Sequence, residues 1–140
     1  MSEKPKCRVA FRIQCDNLDP IEITEFLSIE PTESHKKGDP NTRVSKKGKL
    51  IIYSAYSSGL WCIDSKEPET TSLEEHIIGL LTVLEPLRAN LLELSESGHK
   101  MDFYCGFFCK DCVQPGMEIT SGTIKRIGDL NINFGVSFYF

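Results

Sequence analysis

The chain has 140 residues, 40% hydrophobic and 26% charged, with a formal net charge of −4, the values of a globular domain large enough to bury a core without disulfides or metal. No stretch approaches the roughly 18 consecutive apolar residues of a membrane span, and the opening Met-Ser-Glu-Lys-Pro-Lys lacks the apolar centre of a signal peptide. A single cytoplasmic domain with no membrane contact is therefore expected, its six cysteines reduced rather than woven into a disulfide framework.

Cys7, Val9, Phe11, Ile13 and Cys15 alternate with Arg8, Ala10, Arg12 and Gln14, the pattern of a strand with one buried and one wet face. Asp19, Pro20 and Glu22 then supply an N-cap oxygen, a first helical position and a capping-box partner. A helix is predicted over 19–28, ending because Pro31 disfavours helical geometry in the residue before it. From Pro31 to Lys49 there is no apolar periodicity, and Lys36, Lys37, Arg43, Lys46, Lys47 and Lys49 stand against only Glu33 and Asp39. A basic loop thus rides on an acidic body, which suits a basic partner. Residues 50–56 and 60–63 predict two short strands, joined as a hairpin through Ser57-Ser58-Gly59.

Ser72 and Glu75 form a second capping box. Leu73, Ile77, Leu80, Leu81, Leu84, Leu87 and Leu91 follow at helical spacing, predicting a helix over 73–96 that Pro86 breaks or kinks and Gly98 ends. Met101, Phe103, Cys105, Phe107 and Cys109 alternate with Asp102, Tyr104, Gly106, Phe108 and Lys110 as a strand. Thr120 or Ser121 caps a helix over 120–129, and Ile132, Phe134, Val136, Phe138 and Phe140 close the chain as a last strand. The order predicts an α+β fold: a ferredoxin-like split β-α-β-β-α-β unit extended by one helix and one strand, with a mostly antiparallel sheet of about five strands and helices on one face. Cys7, Val9, Phe11, Ile13, Phe103, Phe107, Phe134, Val136 and Phe138 are expected to be buried.

Leu18-Asp19-Pro20 leading to Ile23-Thr24-Glu25-Phe26-Leu27, then Ile29-Glu30-Pro31-Thr32, Lys37-Gly38-Asp39, the lone Trp61 and Leu73-Glu74-Glu75-His76 before a leucine-rich helix, resemble the family catalogued as domain of unknown function 4279. The resemblance covers nearly the whole chain and implies a single-domain soluble protein. It brings no assigned activity and no catalytic residues.

Cys105, Cys109 and Cys112 have the spacing of an iron-sulfur motif, and His99 could complete a zinc set. On a strand, however, Cys105 and Cys109 lie about 13 Å apart, too far to share one ion, and no cofactor or metal is expected. Cys109-Lys110-Asp111-Cys112 ends a strand rather than opening a helix, where a redox pair would sit. His35, His76 and His99 have no metal spacing. The split unit also frames RNA-recognition domains, but a pI near 5.4 opposes a phosphate-tracking surface, so nucleic acid is not the expected partner. The expected function is non-enzymatic protein binding through exposed aromatics on the open sheet face, Tyr104, Phe108 and Tyr139. A specific version is an immunity protein that neutralises a basic toxin. The alternative is an uncharacterised enzyme or ligand-binding protein with its site at the basic loop 35–49, where Lys36 and Lys37 are the binding candidates.

Overall fold

The computed structural model describes residues 4–111 and 116–139. In chain order the elements are β1 (Lys6–Cys15), α1 (Pro20–Leu27), β2 (Glu33–His35), β3 (Asn41–Val44), β4 (Leu50–Tyr53), β5 (Gly59–Asp64), α2 (Leu73–Leu84), α3 (Arg88–Glu96), β6 (Lys100–Phe108), α4 (Ser121–Asp129) and β7 (Asn133–Tyr139). Five strands form one sheet in the order β2-β5-β1-β6-β7, while β3 and β4 form a separate ribbon. Every neighbouring pair in the main sheet is antiparallel except β6 and β7, which run parallel. The fold is α+β with a mostly antiparallel sheet, and no helix among the described residues is long and apolar enough to cross a membrane.

The alternation in β1 decides the layering. Cys7, Val9, Phe11 and Ile13 are buried together with Phe103, Cys105 and Phe107 of β6, and α2 packs on β1, α1 on β5 and α4 on β7. The opposite face of the sheet stays open. Trp61 of β5 is fully buried and donates its indole N–H to Thr24 Oγ1 of α1 at 3.0 Å, tying the first helix to the sheet.

Helix ends follow local chemistry. Asp19 Oδ1 accepts the Ile21 N–H at 3.1 Å and Ser72 Oγ the Glu75 N–H at 3.3 Å, so both predicted caps form. The first helix ends where Ser28 takes a left-handed conformation at φ 57°, three residues ahead of Pro31. Pro86 divides the long helix, as expected, through a 3₁₀ turn over Glu85–Leu87, because proline has no N–H to continue the ladder.

Three expectations are corrected. Residues 50–53 do not pair with the strand after Ser57-Ser58-Gly59; they fold back on β3 with Val44 opposite Leu50, closed by a turn in which Gly48 stands at φ 78°. The neighbour of β5 is instead β2, drawn from what reads as loop. Gly59 places β5 against the end of β1: a Cβ there would lie 2.8 Å from both the Cys15 carbonyl oxygen and the Leu18 Cβ. Phe134 and Phe138 are 40% and 49% exposed and Val136 only half-buried. Their register beside Phe103, Phe107 and Cys105 is the expected one, but β7 is the sheet edge, and α4 alone does not cover it. Finally, Cys109 is disulfide-bonded, while Cys7, Cys15, Cys62 and Cys105 are free. The strand ends at Phe108, and Cys109 just beyond it still donates its N–H to the Tyr139 carbonyl of β7 at 2.9 Å; the size and composition from which reduced thiols were expected do not decide the state of one cysteine. Cys112 lies outside the described residues.

Candidate binding cleft on the open sheet face

The open face is assembled by register. Arg12 lies beside Asp102, Ala10 beside Tyr104 and Arg8 beside Gly106; Phe108 lies beside Tyr139 and Gly106 beside Ser137. The three aromatics named from the sequence come together. Phe108 and Tyr139 stack with centroids 4.7 Å apart and planes at 11°, and the Tyr104 and Tyr139 hydroxyls are 3.1 Å apart. Hydrogen bonds with Ser137 and Tyr139 hold the Tyr104 phenol below its ordinary pKa, while the bond to Tyr104 raises that of Tyr139. Gly106 makes room for the stack, since a Cβ there would lie 3.1 Å from Phe108 Cε2.

Two arginines are built into this surface. Arg12 gives Asp102 a forked pair, Nε to Oδ1 at 2.9 Å and Nη2 to Oδ2 at 2.6 Å, and its guanidinium sits 4.6 Å from the Tyr104 ring centroid. Arg8 reaches Glu69 at 3.0 Å and lies 5.6 Å over the Phe108 ring. Both arrangements combine a carboxylate with an aromatic face around one planar cation.

Beside them the sheet is notched. β5 leaves it after Asp64, which pairs with Ala10. The chain then bonds β1 twice more, Ser65 N–H to the Val9 carbonyl at 2.8 Å and the Glu69 carbonyl to the Cys7 N–H at 2.7 Å. Residues 65–69 thus span only Val9 to Cys7, so the segment between must bulge outward. A cleft of about 460 Å³ opens there, with Arg8, Ala10, Tyr104, Gly106, Phe108 and Tyr139 along the sheet and Asp64, Ser65, Glu67, Glu69 and His76 along the bulge and α2.

His76 is 1% exposed. Its Nδ1 is 2.7 Å from Ser65 Oγ, and the ring also meets the Pro68 and Thr71 carbonyls. Burial pushes the imidazole below its ordinary pKa, opposed by the Glu67 charge and the Pro68 and Thr71 carbonyls. A hydroxyl beside a neutral imidazole is half of a nucleophile pair, but Ser65 Oγ also accepts the Glu67 N–H at 3.2 Å and so ties the bulge together. Burial and the nearby Glu33 charge raise the Asp64 pKa.

Lys36 and Lys37 are exposed and do not line the cleft. Lys36 N–H donates to Asp39 Oδ2 at 2.8 Å and its Nζ is 3.7 Å from Asp19. The basic segment is ordered by cross-links, His35 stacking on Tyr56 at 3.4 Å and Arg43 reaching Glu33 and the Tyr56 hydroxyl at 3.3 Å each. The ribbon leaves Val44, Leu50 and Ile52 at 70%, 61% and 75% exposed. Burial pushes the Cys105 thiol up to about 12 and the Cys62 thiol up to about 11, which keeps both protonated and inert. Among the described residues no three His, Cys, Asp or Glu side chains group to hold a metal ion.

Sequence reasoning missed Ala10, Asp64, Ser65, Glu67, His76 and Gly106. The one signal was Gly106 within an aromatic strand, since glycine there marks a close approach; the others depend on where β5 leaves β1. Comparison with curated proteins and with solved structures gives no match. A family model described as a domain of unknown function, DUF4279, matches residues 5–140, nearly the whole chain, and the protein therefore belongs to that family.

Proposed function

We propose that the protein is a non-enzymatic, protein-binding domain that takes its partner on the open sheet face. The observation that carries this reading is the meeting of Tyr104, Phe108 and Tyr139 in one stacked, partly exposed group at the rim of the cleft. Aromatics of this kind offer large contact area with few rotamers to freeze, and such residues dominate interface energetics. In its specific form the domain is a cytoplasmic immunity protein whose acidic body meets a basic toxin. The acidic balance outside residues 31–49 supports that form, because complementary charge raises encounter rate and specificity. The scaffold we propose is a ferredoxin-like split unit of β1, β2, β5 and β6, extended by α4 and β7; the antiparallel order β2-β5-β1-β6 supports it.

A second reading places the site on the basic ribbon, favoured by exposed Val44, Leu50 and Ile52 beside Lys46, Lys47 and Lys49. Co-expression with the product of the neighbouring gene, followed by two sets of alanine replacements, separates the two. Changing Tyr104 and Phe108 should weaken a stoichiometric complex by about 2 kcal/mol or more, and neutralising Lys36, Lys37, Lys46 and Lys47 should leave the affinity at physiological salt within a few-fold. The reverse pattern assigns the site to the ribbon.

A further inference from the structure

The ribbon of β3 and β4 is separate from the main sheet, and its two outer edges differ. Hydrogen-bond parity is set at the turn, where the Ser45 N–H donates to the Lys49 carbonyl at 2.8 Å and the Gly48 N–H to the Ser45 carbonyl at 2.9 Å. With Arg43 opposite Ile51 and Asn41 opposite Tyr53, alternation makes those the hydrogen-bonded pairs, so the N–H and C=O groups of Leu50 and Ile52 point away from β3. Among the described residues no other strand or turn takes up those groups. On the far edge the outward positions are Val44, Thr42 and then Pro40, and a proline there has no N–H to offer. β4 has no such guard. Leu50-Ile51-Ile52-Tyr53 carries neither charge nor proline and is exposed throughout, which makes it a template for another strand.

The strand that fits this edge is its own copy. Run antiparallel about a two-fold axis through Ile51, β4 sets Leu50 opposite Ile52 of the second copy and Ile52 opposite its Leu50. Both outward-bonding residues on each side are then used, giving about four backbone hydrogen bonds, two for each such pair. Val44 lies beside Leu50 within the ribbon, so the exposed Val44, Leu50 and Ile52 of the two copies adjoin on one face. Charge fixes the direction. Antiparallel pairing sends the Lys46-Lys47 tips to opposite ends and places Lys49 opposite Tyr53 of the second copy, a cation beside a ring; parallel pairing, or a slip toward the turn, brings Lys49 against Lys49. Four residues a side fall short of the roughly 20–30 that a standard interface supplies, so the association is weak. We infer that β4 is a self-association edge through which two copies of the chain form a two-fold dimer, with a dissociation constant on the order of 0.1 mM. It uses no residue of the open sheet face and does not depend on the partner proposed for that face.

The test is sedimentation equilibrium of the full chain from about 10 µM to about 1 mM, a range that brackets the expected constant. The weight-average mass should rise from 15.8 kDa towards twice that value. Leu50→Glu and Ile52→Lys, both at exposed positions, should each weaken self-association by about tenfold or more. An equal mixture of the two variants should recover it, because the introduced glutamate of one chain then lies opposite the introduced lysine of the other, while the remaining Leu50 and Ile52 still pair. That recovery also excludes a folding defect as the cause of the single losses. In a sample mixed from labelled and unlabelled wild type, intermolecular NOEs should join the Leu50 and Ile52 methyl groups. A chain that stays monomeric at about 1 mM would overturn the inference. So would self-association that survives both single variants, a mixture that fails to recover, or intermolecular NOEs that map outside residues 41–53.

Discussion

The fully buried Trp61 meets the half-buried Thr24 through a single hydrogen bond, and that isolation makes it a clean probe. Thr24→Val keeps the shape and strands a buried donor, which should lower unfolding free energy by about 1–3 kcal/mol in urea; Thr24→Ser should recover most of it. A valine variant within about 0.5 kcal/mol of wild type would mean the bond contributes nothing. His76 gives a pH test. Its pKa is depressed in the folded protein, so the native state binds fewer protons than the unfolded chain. Stability from this group is full above the unfolded value of about 6.5 and is lost as pH falls through and below it. Melting temperature should therefore drop on acidification across this window, and His76→Gln should flatten the slope relative to wild type. Equal slopes would place the pH dependence elsewhere, Glu67 and Glu75 being the charged neighbours.

At the scale of elements, side chains from one unit complete another. Glu74 of α2 accepts both the Thr120 N–H at 2.7 Å and the Thr120 hydroxyl at 2.6 Å, and these bonds pull its pKa down. The N-terminus of α4 is thus capped from another helix, while Thr120, in the N-cap position, makes no side-chain cap bond of its own. Glu74→Ala should speed amide exchange in the first turn of α4, and Glu74→Gln, which keeps an acceptor, should not; identical exchange in both would show that the cap is idle. Capping signals such as Asp19 and Ser72, and the Pro86 break, were legible in sequence because they act within a turn. Pairing was not. Leu50-Ile51-Ile52-Tyr53 reads as a strand, but nothing local says that its partner is Asn41–Val44 rather than Gly59–Asp64, and β2, a polar three-residue strand, carries no periodic signal at all. The face of Phe134 and Phe138 could be read from alternation, whereas their exposure depends on β7 being the sheet edge.

Across the whole molecule the same division holds for the site. Tyr104, Phe108 and Tyr139 could be assigned to one face from a period of two, and the sheet register brings them together. The notch beside them arises where residues 65–69 bulge from β1, a long-range event that no local pattern marks. Charge is divided too, with the basic ribbon set against an acidic remainder. Exposed charges are screened over roughly 8 Å at physiological salt, so raising ionic strength should slow association with a basic partner several-fold while changing dissociation little. A dissociation rate that rises in parallel would move the charges from steering into the contact itself.

The proposal that the open face is the binding surface is tested most directly by hydrogen–deuterium exchange of the protein alone and in complex with a protein that co-expression yields in a stoichiometric complex. Binding at the face predicts slowed exchange in β6, β7 and residues 65–69, with residues 41–53 unchanged. Protection confined to residues 41–53, with β6 and β7 exchanging as in the free protein, would contradict it.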